Sequence, residues 1–323
     1  MSQGSRHLNL FVLCLVNFMW AAQYPAYRIA TDHMDVVNLN FWTFVFAIGL
    51  LAPFLILERR RNPDLPGLDS KSVGQFLILG LIGNIPPSIF IAWGIAHSTA
   101  SNAAIISLTI PILMVLMAVV MLGERMTRLR WICIVLAISG TILVSKINSG
   151  AGFFSSTVLL GNAVIFIAGA GSAFYNTYSK KLLEKFSELQ VLVYSFVSTC
   201  AVCGILSVFF EERPFYRVSG YPLKAWGAIF VLGAFSWGLA MVLWMWVLKR
   251  LEIGQVSVSI YLLSLFGVIL SAIALHERLT VSQIIGGVMV FLATFLTSEY
   301  EARTARREAG KLQAMTGETE EAN

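Results

Sequence analysis

Charge is what this chain has least of. Asp, Glu, Lys and Arg make up 13% of its 323 residues and hydrophobic residues 57%; soluble domains run at about 25% charged and about 45–50% apolar. That balance excludes an ordinary soluble enzyme and a disordered chain. The sequence pI is about 9.1, but the net charge is only +5. Its few basic residues fall where membrane insertion puts them, so no nucleic-acid partner is implied. Cysteine is scarce too. Cys14, Cys133, Cys200 and Cys203 all lie inside apolar runs, which implies neither a disulfide framework nor a zinc site. Cys200 and Cys203 form a C-x-x-C, but between Val-Ser-Thr and Gly-Ile-Leu they read as packing or lipid-facing thiols. A P-loop is missing as well. The sequence implies no metal and no cofactor.

What the chain has in abundance is long apolar runs. A bilayer-spanning helix needs about 20 mostly apolar residues. Ten such stretches are present, at 8–29, 37–57, 73–96, 102–122, 129–147, 157–179, 189–210, 225–248, 254–275 and 281–298. They predict an all-α integral membrane protein with ten transmembrane helices. The runs are long and continuous rather than alternating, which excludes a transmembrane β-barrel. The stretch 8–22 has the length of a signal-peptide core. Its apolar run continues to Ala30, however, and belongs to the repeat described next, so it is read as a span. With the N-terminus inside, 17 of the 23 Lys and Arg residues fall on the cytoplasmic side. The positive-inside rule then places both termini in the cytoplasm of a multi-pass cell-membrane protein. The polar segment 299–323 reads as a solvated cytoplasmic tail.

The sequence also repeats. A shift of 153 lays residues 80–143 on 233–296. Gly80 meets Gly233, Trp93 meets Trp246, Glu124 and Arg125 meet Glu277 and Arg278, and Thr127 meets Thr280. A shift of 151 lays Ala22, Tyr24 and Tyr27 on Ala173, Tyr175 and Tyr178. The two halves are thus 8–147 and 157–298, with five spans each. An odd number of spans forces the second half to enter the membrane from the opposite face. That is an inverted repeat, in which transporters place their solute near the midplane and expose it alternately.

The residues that carry the repeat also carry a resemblance. Trp93-Gly-Ile-Ala-His97, Pro111 and Leu122-Gly-Glu-Arg-Met-Thr127, with Trp246-Val-Leu-Lys-Arg250 and Leu275-His-Glu-Arg-Leu-Thr280, resemble two tandem EamA domains. The resemblance spans nearly the whole chain. It implies the drug/metabolite transporter superfamily, whose ten-helix members commonly export amino acids and other metabolites. The sequence departs from the family pattern at His276, where Gly is usual, and at Ser264, where Pro is expected. Asn40 to Thr43 stand where an Arg-containing stretch is typical.

Several residues are candidates for the work. Glu124-Arg125 and Glu277-Arg278 sit at helix ends, where a carboxylate beside Arg pairs or caps structurally, or gates across the halves. Pro86, Pro87 and Pro111 fall inside spans and free backbone carbonyls. Lipid tolerates such breaks only beside protein or a water-filled cavity, so 84–88 is expected to face one. No Asp or Glu lies at mid-depth. A phosphate-bearing solute would call for Lys or Arg there, so such solutes are disfavoured. What remains at depth is aromatic and neutral polar: Trp20, Gln23, Tyr24, Asn84, Trp93, Tyr175, Asn176, Trp244 and Tyr261 are the candidate substrate-binding residues, in competition with interfacial aromatic belts. The expected function is a secondary transporter exporting small neutral or zwitterionic metabolites, amino acids including aromatic ones first. A non-transporting scaffold or receptor, and multidrug efflux of amphipathic compounds, are the alternatives. Beyond a small-molecule solute and the lipid bilayer, a proton or solute counter-ion and a homodimeric partner remain open.

Overall fold

The computed structural model describes residues 3–122, 156–211 and 220–248 throughout, together with Phe215 and short stretches between 128 and 140 and between 260 and 296. Every regular element among them is helical. Five of these helices are long and apolar enough to cross a bilayer: Val36–Arg61 (α3), Ser70–His97 (α4), Ser156–Leu182 (α7), Glu188–Phe210 (α8) and Leu223–Val247 (α9). Each begins within three residues and ends within four residues of its expected span. Charge sets the limits, as at Arg59–Arg61 closing α3 and Lys180–Lys181 closing α7. Most of the expected spans at 129–147, 254–275 and 281–298 lies outside the described residues.

The first span is broken. Gln3–Ala21 (α1) and Gln23–Thr31 (α2) meet at Ala22, one turn before Pro25. Proline lacks the N–H that would reach the Ala21 carbonyl, so the helix loosens there. The fourth span is also segmented. Ala100–Ile106 (α5) passes through a tight turn at Ser107–Thr109 into Ile110–Leu122 (α6). Pro111 cannot bond the Ser107 carbonyl; Ile110 N–H takes it instead, one residue short.

Two spans carry widened, π-helical turns at repeat-related positions. In α4 they run over Leu79–Asn84 and Pro86–Phe90, and Ile85 N–H bonds Gly80 O, five residues back. Pro86 and Pro87 supply no donor there. Ser88 Oγ fills in, donating to Asn84 O (2.6 Å) and Ile85 O (3.2 Å). In α9 the wide turns run over Val231–Leu239, which the 153-residue shift maps onto 78–86. Leu239 and Ala240 stand at the places of Pro86 and Pro87, so proline does not cause the second bulge.

Packing crosses between the halves. α3 and α8 lie side by side and antiparallel. Phe41 stands against Gly204, the Phe44 ring packs tilted on Phe196, and Ser187 Oγ donates to Glu58 at 2.8 Å. α7 packs antiparallel on α4: a Cβ at Gly94 would lie 2.5 Å from Ile165, and one at Gly171 would lie 2.7 Å from Pro86. The α1–α2 unit packs in the same way on α9, with Trp20 on Trp244 and Tyr27 on Trp237. Lipid is as apolar as Leu, so this close approach through small residues, rather than a hydrophobic effect, holds the helices together. Arg28 adds a cap at one end, donating to Ile95 O (3.4 Å) and Ala96 O (3.1 Å), carbonyls that the end of α4 leaves free.

The start of α8 is a full capping box. Ser187 Oγ accepts from Gln190 N–H and Gln190 returns to Ser187 N–H. Ser187→Ala is expected to remove about 1 kcal/mol of stability, read as a lowered midpoint in thermal unfolding of the detergent-solubilised protein.

Candidate solute site

Two of the apolar clusters among the described residues share a wall. One gathers Met19, Tyr24, Tyr27, Leu232 and Trp244. The other gathers Phe44, Tyr175, Phe196, Trp237 and Met245. Trp20 is half-buried and packs against both. Trp20, Tyr24 and Tyr27 stand at i, i+4 and i+7, so α1 and α2 present them to this wall from one helical face. Trp20 and Trp244 rings sit 4.8 Å apart, and Trp237 Nε1 donates to Tyr27 Oη at 3.2 Å. Phe44, Phe196 and Trp237 form a triangle with centroids 5.2–5.9 Å apart. Tyr175 Oη lies 3.5 Å from Ser195 Oγ, and Ser236 Oγ donates to Met19 O at 2.8 Å. Most of these contacts join one half of the chain to the other.

The polar groups at depth are neutral. Among the described residues, the buried polar side chains are Asn, Gln, Ser and Thr, with no charged one. Several lack a hydrogen-bond partner: both amide atoms of Asn84, Asn40 Oδ1, Thr43 Oγ1 and Trp244 Nε1. A buried polar atom left unpaired costs about 1–3 kcal/mol, so such atoms ask for an explanation. A solute with its own donors and acceptors supplies one.

The candidate residues are therefore not all in one place. Trp20 and Trp244 touch, Tyr24 lies in the same cluster as Trp244, and Tyr175 belongs to the adjoining one. Asn84 is fully buried in the first wide turn, next to Gly83, whose Cβ would lie 3.0 Å from Tyr175. Gln23 is half-buried at the α1–α2 break. Asn176 is half-buried and donates to Ser172 O of its own helix at 2.9 Å. Trp93 stacks on His97 (3.9 Å between centroids) near the end of α4. Pro86 and Pro87 press against Gly171 of α7, and Ser88 is fully buried. Pro111 is buried at the start of α6. Tyr261, Glu124, Arg125, Glu277 and Arg278 lie outside the described residues. The candidate substrate-binding residues do not include Tyr27, Phe44, Phe196 or Trp237. Tyr27 carried a signal, since the 151-residue shift pairs it with Tyr178.

A cavity of about 650 Å³ opens beside this wall, between α3, α8 and α9. It is lined by Leu50, Phe54, Leu189, Phe235 and Trp246, with Glu58 and Glu188 also on its wall.

Trp237→Phe deletes the donor that holds Tyr27 and is expected to cost about 1 kcal/mol. Combining it with Tyr27→Phe should cost less than the two single changes added together, a coupling that a double-mutant cycle of unfolding free energies reads directly.

The model of the EamA-like transporter family matches this chain twice, at residues 7–146 and 159–299. The chain belongs to the EamA-like transporter family. Named relatives of this EamA-like transporter agree. It is 25% identical to a "probable terminal-alkyne amino-acid exporter" of Streptantibioticus cattleyicolor, over 93% of this chain and 96% of the relative. It is 23% identical to an uncharacterized transporter of Archaeoglobus fulgidus, over 88% and 96%. A chain of known crystal structure superposes with a TM-score of 0.62, covering 90% of this EamA-like transporter and 98% of itself at 15% identity. That likeness is one of fold. An EamA-like transporter is an integral membrane protein that moves a small-molecule solute, and the two-repeat layout of the family fits the helices described above.

Proposed function

We propose that the chain is a ten-span secondary transporter of the inner or plasma membrane that exports small neutral or zwitterionic metabolites, amino acids first, by alternating access. The observation that carries this reading is the fully buried, uncharged interior wall between the halves, with Asn84, Thr43 and Trp244 bearing unpaired polar atoms. Aromatic faces and a few neutral donors and acceptors suit a solute with an apolar body and a polar, net-neutral head. The S. cattleyicolor relative, named as an amino-acid exporter, supports the choice of class.

The halves 8–147 and 157–298 act as two inverted units, with 299–323 as a cytoplasmic tail and both termini inside. The antiparallel pairing of α3 with α8 supports the inversion, because the repeat shift makes them mates. Trp20, Gln23, Tyr24, Asn84, Trp93, Tyr175, Asn176, Trp244 and Tyr261 are the assigned solute residues. Glu124-Arg125, Glu277-Arg278, Pro86, Pro87 and Pro111 are assigned structural and gating roles. A second reading, efflux of bulkier amphipathic compounds, is favoured by the 650 Å³ apolar cavity with carboxylates on its wall.

Expression in cells challenged with toxic amino-acid analogues and with amphipathic antimicrobials tests both. Resistance to the analogues alone supports the first reading, and resistance to the antimicrobials alone supports the second. Unchanged sensitivity to every compound, with the protein present in the membrane, counts against export.

A further inference from the structure

Several of the unpaired polar atoms of the interior follow one seam. Asn40 Nδ2 donates to Val36 O (2.9 Å) and across to Ser88 O of α4 (3.4 Å). Those two bonds settle which amide atom is the oxygen, and Asn40 Oδ1 has no donor. One turn further along α3, Thr43 Oγ1 is unpaired as well. A helical threonine ordinarily reaches the carbonyl four residues back, here that of Leu39, and this bond is not made. On α4, Ser88 Oγ donates to Asn84 O (2.6 Å) one turn back, and both amide atoms of Asn84 lack partners. α3 and α4 follow one another through a short loop and run antiparallel. From the Asn40–Ser88 contact the seam therefore leads along one helix to Thr43 and back along the other to Asn84. Asn40, Thr43 and Asn84 are all fully buried.

The same places in the second half are aromatic. The 153-residue shift carries Thr43 to Phe196 and Asn84 to Trp237. Phe196 and Trp237 pack on each other (5.9 Å between centroids), and both pack on Phe44, the neighbour of Thr43 (5.3 and 5.2 Å). Asn84 and Trp237 stand midway along α4 and α9, the depth at which inverted repeats hold a solute between them. The two halves thus bring unlike surfaces to one interface, polar from the first and aromatic from the second.

We propose that the solute is an aromatic amino acid held across this interface in one orientation. Its ammonium sits on Asn40 Oδ1, Thr43 Oγ1 and Asn84 Oδ1, its carboxylate takes Asn84 Nδ2, and its ring rests on Phe196 and Trp237. This placement rests on the export reading above and adds Asn40, Thr43, Phe196 and Trp237 to the solute residues. An ammonium group has three donors and no acceptor, which matches oxygens that have no donor. Neutral oxygens serve because the zwitterion brings its own counter-charge, and no charged side chain is buried among the described residues. An acid without the amine leaves those oxygens unpaired in a dry site, the situation in which a site discriminates most sharply.

Competition for counterflow of labelled L-phenylalanine into proteoliposomes holding the full chain tests it. The competitors are L-phenylalanine, 3-phenylpropionate, which lacks the amine, and L-alanine, which lacks the ring. In the wild type, 3-phenylpropionate should compete about a hundredfold more weakly than phenylalanine or worse, and alanine at least about tenfold more weakly. Thr43→Val removes one oxygen without changing shape. It should weaken phenylalanine and alanine alike by about tenfold and leave 3-phenylpropionate unchanged, while Thr43→Ser restores the wild-type pattern. Phe196→Leu should shrink the preference for phenylalanine over alanine severalfold and keep the rejection of 3-phenylpropionate. Should Phe196→Leu not fold, the two Thr43 variants decide alone. Equal competition by phenylalanine and 3-phenylpropionate in the wild type overturns the proposal, since the oxygens would then hold water or an ion. So does a Thr43→Val protein that binds phenylalanine as the wild type does, or one that weakens all three competitors equally. Counterflow of other neutral amino acids without phenylalanine overturns this placement and spares the export reading; counterflow of none removes both.

Discussion

Gly233→Val is expected to leave no correctly packed protein, while Gly227→Ala, six residues away on the same helix, is tolerated. A Cβ at Gly233 would run into the Thr43 carbonyl oxygen and lie 2.6 Å from Phe46 Cβ; one at Gly227 would meet nothing within 4 Å. Overpacking costs about 1–3 kcal/mol when side chains can give way. Here the obstacle is backbone in the middle of α3, which cannot move without opening the α3–α9 seam. Nor does an apolar solvent reward a looser fit, since close approach is itself the source of helix association in lipid. Size-exclusion chromatography in detergent should show the monodisperse peak of the wild type for Gly227→Ala and its loss for Gly233→Val. A normal peak for Gly233→Val would mean that α3 and α9 do not meet through this glycine.

The second large effect concerns function without fold. Asn84→Leu replaces a fully buried amide, both of whose polar atoms lack partners, by an apolar group of similar size. Removing unpaired polar groups from an apolar interior is neutral or stabilising for the fold. Solute that depended on that amide would lose its hydrogen bonds. Transport should therefore fall about tenfold or more, the factor equivalent to about 1.4 kcal/mol, while the thermal unfolding midpoint stays level or rises. Transport and midpoint falling together would make Asn84 a structural residue. Transport left intact would remove it from the solute site.

Much of this architecture was legible in the order of residues because lipid imposes a blunt rule. The five long spans were placed nearly to the residue, since apolar runs end where Arg59–Arg61 or Lys180–Lys181 begin. The break at Ala22 had a local signal in Pro25. The wide turn in α9 had none: Leu239 and Ala240 hold the places of Pro86 and Pro87, and over this turn α9 packs against α1 at Met19 and α3 at Thr43. The site was legible only in part. The repeat pointed to Tyr24 and Tyr175, and both are buried, but they line separate clusters. The hydrogen bond across the halves belongs instead to Tyr27 and Trp237, 210 residues apart, a partnership that helical spacing on one segment cannot express. Asn176 sits one residue from Tyr175, a turn of about 100° on a helix, and its amide goes back to its own backbone.

Two like halves meeting through an uncharged wall are proposed to carry a solute by alternating access. Counterflow in proteoliposomes tests it most directly. The purified protein is reconstituted with excess unlabelled neutral amino acid inside and trace labelled amino acid outside. Saturable uptake that overshoots equilibrium and is accelerated by the internal pool is expected, with Asn84→Leu strongly impaired. Uptake that rises linearly with concentration and ignores the internal pool, or no uptake for any neutral amino acid, would contradict it.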